Sequence, residues 1–210
     1  MKILHFLLLL VLIPDLVVAQ IQYENAILME KSDPIYPVIK ARQMEIEKKY
    51  EAGDYAVAQF TPWIRVDSPA VAKLFPHLRF ASVMWSEGAS PKSKTHQVGR
   101  ALGLELTVGV DVKSLQATCE LLDYGNQEAY AQMLKDAKVR IVTREDAKTV
   151  WEAFCALTRH HWEANPAIKV SDTVWRLGKS TDASSIYYYE VLLDADHVVK
   201  SGTLKSDRSK

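Results

Sequence analysis

From Leu102 to Val112 the chain alternates strictly. Leu102, Leu104, Leu106, Val108, Val110 and Val112 fall on one side, and Gly103, Glu105, Thr107, Gly109 and Asp111 on the other. A period of two over such a length is the signature of a β-strand, because successive side chains leave a strand on opposite faces. One strand cannot stand alone. The segment therefore demands paired neighbours and an apolar layer over one face. The polar second side predicts an antiparallel sheet with one wet face.

Helical stripes supply candidate covers. Ser32-Asp33-Pro34 is a helix-start signal, and Ile35, Val38, Ile39, Ile46 and Tyr50 give a stripe that stops at Gly53-Asp54. Lys49 to Ala56 resembles the inter-helix turn of a tetratricopeptide repeat, but no second copy follows at the period of roughly 34 residues that such arrays need. Tyr55 to Phe60 reads as another short helix. Asp67-Ser68-Pro69 caps a short helix over 70–75, and Leu78 to Ser86 reads as a strand. Leu115, Cys119 and Leu122 fit a helix face, with a strand as the alternative. Asn126 caps a helix carrying Tyr130, Met133, Leu134 and Ala137. The strongest helical pattern follows Thr143-x-x-Asp146, a variant of the capping box, with Ala147, Val150, Trp151, Phe154, Leu157 and Thr158 as its buried stripe.

The tail is β. Thr173 to Leu177 and Ile186 to Leu193 are strands, Asp194-Ala195-Asp196-His197 is a turn, and Val198 to Lys205 returns. The fold class is α+β: an N-terminal helical region, a mixed and largely antiparallel sheet, and a C-terminal helix followed by a three-stranded antiparallel unit. The expected division is 1–19, 20–66 as the helical region and 67–210 as the α+β domain. The opening Thr143-Arg144-Glu145-Asp146-Ala147 and the run Tyr188-Tyr189-Glu190-Val191 give the last third of the chain a resemblance to PepSY-type secreted modules, which also place a capped helix before a hairpin. The resemblance implies that architecture and no functional residue.

Residues 1–19 read as a signal peptide. Lys2 precedes an apolar run from Ile3 to Ile13, broken only by His5, and the segment ends in Val17-Val18-Ala19. The run is too short to cross a bilayer, which takes roughly 20 apolar residues. Cleavage after Ala19 and a secreted or periplasmic location are the expectation. A membrane role arises only if the leader is uncleaved. Export brings an oxidising environment, so Cys119 and Cys155 are a candidate disulfide, with two buried free thiols as the alternative.

Basic and acidic residues balance at 26 each, which gives no bulk drive towards nucleic acid. No phosphate loop, nucleophile elbow or reactive-cysteine signature appears, and no cofactor is expected. Lys92, Lys94, His96 and Arg100 read as a solvated basic loop. Glu105, Asp111, Glu120 and Asp123 are carboxylates close in sequence, read as surface groups rather than a glycosidase pair. His160, His161 and Glu163 form the densest ligand-type cluster, at the end of the strongest helix, and carry the alternative reading of a metal-assisted hydrolase. Trp175, Tyr187, Tyr188 and Tyr189 bring aromatics onto adjacent strands. One set is expected under the helix; the other reads either as cross-strand aromatic pairing that only stabilises the sheet or as a partly exposed face for a protein, peptide or glycan partner. The sequence thus favours a non-catalytic binding or interaction module over an enzyme.

Overall fold

A computed structural model describes residues 27–51, 55–60, 62–89, 103–122, 127–158, 167–181 and 185–208. The first sheet contains β1 (Ile27–Leu28), β2 (Tyr55–Phe60), β3 (Ile64–Val66), β4 (Leu78–Ala89), β5 (Gly103–Asp111) and β6 (Ala117–Leu122). Its order is β1-β3-β4-β5-β6, all antiparallel, with β2 sharing the long edge of β4 beside β3. The second sheet is an antiparallel meander, β10-β9-β8-β7, built from β7 (Ile168–Ser171), β8 (Val174–Thr181), β9 (Ser185–Leu193) and β10 (Val199–Arg208). The helices are α1 (Tyr36–Glu51), α2 (Pro69–Leu74), α3 (Gln127–Asp136) and α4 (Arg144–Thr158). The chain is therefore α+β, with two antiparallel sheets.

The predicted strand at 102–112 is β5, but over residues 106–110 neither of its faces is wet. Leu106, Val108 and Val110 pack with Ile35, just before α1, with Ile39 and Ile46 of α1, and with Trp63, Ala81 and Val83. On the opposite face Thr107 is buried and donates through Oγ1 to the carbonyl oxygen of Leu157 at 2.8 Å. Gly109 lies so close to Phe80 and the Cys119 sulfur that a Cβ would collide with both. The second side reads as polar in sequence, yet Thr107 and Gly109 at its centre are small. Small residues are what allow a second layer to approach, and here the sheet is covered twice.

That second layer is helical. Ser68 caps α2, accepting from the Val71 N–H, and Pro69 occupies the first turn, where its missing N–H costs nothing. At the start of α4, Asp146 Oδ2 accepts from the N–H groups of Val142 and Thr143 and from the Thr143 hydroxyl, while Thr143 Oγ1 accepts from the Asp146 N–H at 3.2 Å. Burial alone would raise the Asp146 pKa, but these donors outweigh it and hold the carboxyl below its usual range. Thr143-x-x-Asp146 thus works as a capping box with Asp in place of Glu.

α4 is buried on more than one stripe, at Thr149 and Ala153 as well as at the expected Ala147, Val150, Trp151, Phe154 and Leu157, whereas Thr158 is only half-buried. The cause is its place between the sheets. Its last turn meets β5 through Leu157, while Phe154 stacks on Tyr189 of β9 at 5.0 Å and Trp151 stacks on Phe154 at 5.2 Å. Tyr130 of α3 donates to the Val150 carbonyl oxygen at 2.6 Å and meets Phe75 and Phe154 edge-on. One apolar cluster therefore runs from Phe80 and Leu121 of the first sheet, through the helices, to Trp175, Leu177, Tyr189 and Val191 of the second. Truncating a ring at its centre, such as Phe154→Ala, removes about 3–5 kcal/mol.

Several elements differ from the sequence reading. Residues 55–60 are β2, not a helix: the long β4 leaves an edge beyond β3, and Tyr55 to Phe60 pairs along it. Of the helix and strand readings left open for this segment, Ala117–Leu122 takes the strand. Leu115, which gave the helical spacing, lies instead in a turn with φ of 53°. Asp111 builds that turn, its Oδ1 accepting from Ser114 N, Lys113 N and the Ser114 hydroxyl, which together lower its pKa. The second sheet has four strands rather than three, since β7 is too short to show a periodicity.

Candidate partner surface

Alternation along β8 and β9 sorts the four aromatics. Trp175 and Tyr189 point inward. They are 4% and 0% exposed, and Tyr189 donates to the Gln127 carbonyl oxygen at 3.1 Å. Burial pushes the Tyr189 phenol well up from its ordinary value. These two residues are core, not surface. The reason is register: Leu177 lies opposite Tyr189 and Trp175 opposite Val191, so the inner face closes on Phe154 and Trp151. Tyr187 is half-buried and lies two residues before Tyr189, on the same side of β9.

Tyr188 is on the outer face, yet it too is buried rather than partly exposed, at 7% exposure inside a charged cluster. The Arg176 guanidinium lies over its ring, 4.3 Å from the centroid. Arg176 also reaches Glu190 at 3.4 Å and Asp207 at 3.7 Å, and Lys205 reaches Glu190 at 3.3 Å. The Tyr188 hydroxyl donates to Asp207 Oδ1 at 3.3 Å. Burial is the main cause raising the Tyr188 pKa; Asp207 and Glu190 add to it and Arg176 opposes it. Two cations and two carboxylates thus neutralise one another. Exposed pairs of this kind contribute little to stability. Their effect is to fix the orientation of the ring and the guanidinium.

The other end of this face is apolar. Leu192 lies opposite Val174, and Ile168 opposite Arg176. Ile168, Val170 and Leu192 are 54%, 50% and 40% exposed. The outer face of the second sheet therefore joins an exposed aliphatic strip to a fixed charged cluster. Sequence reasoning singled out the tyrosines, with Glu190 on the face of Tyr188, and missed Arg176, Leu192 and Ile168. The strand alternation marks their shared face, but only the cross-strand register brings them together.

The remaining candidates lie elsewhere. His160, His161 and Glu163, the basic loop at 92–100, and the leader at 1–19 fall outside the described residues. Among the described residues no group of three His, Cys, Asp or Glu side chains is arranged to hold a metal ion. Cys119 and Cys155 are free thiols rather than a disulfide: Cys119 faces Gly109 from β6, while Cys155 lies on α4. Burial raises both, Cys155 to about 12, which keeps them protonated and unreactive at neutral pH. A cleft of about 150 Å³ opens beside Cys119, floored by Phe75, Leu78 and Met133 with His77 and Asp136 at its rim. Glu120 is drawn to the opposite side of the first sheet by a two-pronged pair with Arg42 of α1, away from the Asp111 turn.

Compared with protein-family profiles, curated proteins and solved structures, the chain gives no match. No family model supports the PepSY-type likeness of the tail.

Proposed function

We propose that this chain is an exported, non-catalytic binding protein whose partner meets the outer face of the second sheet. The observation that supports this reading is the exposed strip of Ile168, Val170 and Leu192 beside the Arg176–Tyr188–Glu190 cluster. Apolar area next to oriented charges is the composition of a recognition surface. Arg176 covers the ring face of Tyr188 on which a sugar would stack, which favours a protein or peptide partner over a glycan. Export is supported by the leader sequence alone. Among the described residues no helix is long and apolar enough to cross a membrane.

The test is a photo-crosslinking residue placed at Leu192 or Ile168 in the exporting cell, with Met44, 58% exposed on α1, as the control position. The reading expects adducts at 168 and 192 in clear excess over 44. Equal yields at all three positions overturn it. N-terminal sequencing of the recovered protein checks export: the mature chain is expected to begin at Gln20, and an intact chain beginning at Met1 contradicts cleavage.

A further inference from the structure

We infer that the free edge of β7 takes up an extended peptide with an apolar–acidic–apolar pattern, by strand addition; this rests on the reading that the second sheet is the partner-binding element. β7 ends the order β10-β9-β8-β7, so one edge pairs with β8, and among the described residues no strand pairs with the N–H and C=O groups of the other. All four of its residues, Ile168, Lys169, Val170 and Ser171, are exposed. Edge strands are usually blunted by charge, proline or burial. This one carries a single charge between two β-branched apolar residues. A row of unpaired backbone donors and acceptors is complemented by another extended backbone, so the occupant is a strand.

Charge selects which strand. The Lys169 ammonium is held by Asp172 at 2.8 Å, with the two side chains 46% and 90% exposed. Such a pair is weak and gives way to a better-placed carboxylate. A second copy of this chain is the poorer occupant. The antiparallel register that sets Ile168 against Val170 of a second copy also sets Lys169 against Lys169, and like charges directly opposite one another are destabilising. A peptide that offers apolar residues to Ile168 and Val170 and a carboxylate to Lys169 satisfies all three positions. The bulge between β7 and β8 at Lys169–Ser171 confines the addition to a short segment.

The probe is a capped peptide, Thr-Val-Glu-Val-Thr, titrated against the full mature chain by fluorescence anisotropy, beside its Lys-for-Glu counterpart and an N-methylated form. The Glu peptide is expected to bind roughly fivefold or more tightly than the Lys peptide, with Lys169→Glu reversing the preference. N-methylation of the peptide amides is expected to abolish binding, and the β7 amides to exchange more slowly in the complex. Equal binding of the Glu and Lys peptides overturns the proposal, as does full binding of the N-methylated form or no binding at millimolar concentration. A dimer of the chain lost in Val170→Pro replaces the peptide by a second copy and equally overturns it. Crosslinking at Leu192 separates the two levels: adducts at 192 without peptide binding sink strand addition alone, and no adducts at 192 sink the surface reading beneath it.

Discussion

Gly178 is where the packing of α4 against the second sheet is most sharply exposed to a single methyl group. Its φ is 65°, in the left-handed region, and a Cβ there would collide with the six-membered ring of Trp151. Gly178→Ala therefore meets two penalties. The left-handed backbone costs a non-glycine residue about 1–2 kcal/mol. Overpacking against a ring that is 3% exposed adds about 1–3 kcal/mol. The reduced entropy of the unfolded chain returns about 0.4–1 kcal/mol. The net is a destabilisation of about 2.5 kcal/mol, or a melting temperature lower by roughly 5–10 °C for a chain of this size. Urea denaturation followed by circular dichroism measures it. The same substitution in a Trp151→Leu background is expected to cost only the backbone part, leaving a coupling of about 1–2 kcal/mol between the two sites. A Gly178→Ala loss below about 0.5 kcal/mol, or additivity with Trp151→Leu within about 0.5 kcal/mol, refutes the contact.

Asp146→Ala removes the acceptor for two backbone N–H groups and the Thr143 hydroxyl at the start of α4, and is expected to lower stability by about 1 kcal/mol, read from the urea midpoint. Thr107→Val leaves the Leu157 carbonyl without its donor and is expected to lower stability by about 1–2 kcal/mol, while the far-ultraviolet spectrum stays unchanged. Alkali tests the buried thiols and phenols. The folded pKa of Cys155, about 12, lies above its ordinary value of 9.0, and Tyr130 and Tyr189 are raised as well. Above pH 9 the unfolded chain releases protons that the folded chain keeps, so this contribution is whole below that pH and is lost as pH rises towards 12. The urea midpoint is expected to fall between pH 8 and pH 10.5, and an equal or higher midpoint at pH 10.5 contradicts the burial of these groups.

What the sequence made legible follows from how local each signal is. α4 was readable because its cap and its stripe lie within one stretch, Thr143 to Thr158. The hairpin turn was readable because Asp194 is a turn residue by itself: its Oδ1 accepts from the N–H groups of Asp196 and Val198. β5 showed its alternation but not its two covers, since Gly109 and Thr107 look polar in sequence and are small in space. For β6 the sequence leaves helix and strand open, because Leu115 lends its spacing to a helix that the turn at Asp111 forbids. The aromatics could be sorted into two sets but not oriented. Which set faces Phe154 depends on pairing that crosses strands, and that pairing shifts register between Leu177 and Ser180. The Arg176–Tyr188 stack has no local signal, because it joins residues on two strands through the register alone.

The measurement that bears most directly on this account is hydroxyl-radical footprinting of the native chain, because everything proposed depends on which face of the second sheet is covered. Trp175 and Tyr189 are expected to be protected despite their reactive rings, while Ile168, Val170 and Leu192 are oxidised at rates close to those of the unfolded chain. Oxidation of Trp175 and Tyr189 at unfolded rates, with Ile168 and Leu192 protected, would turn the sheet over and contradict both the core and the partner surface described above.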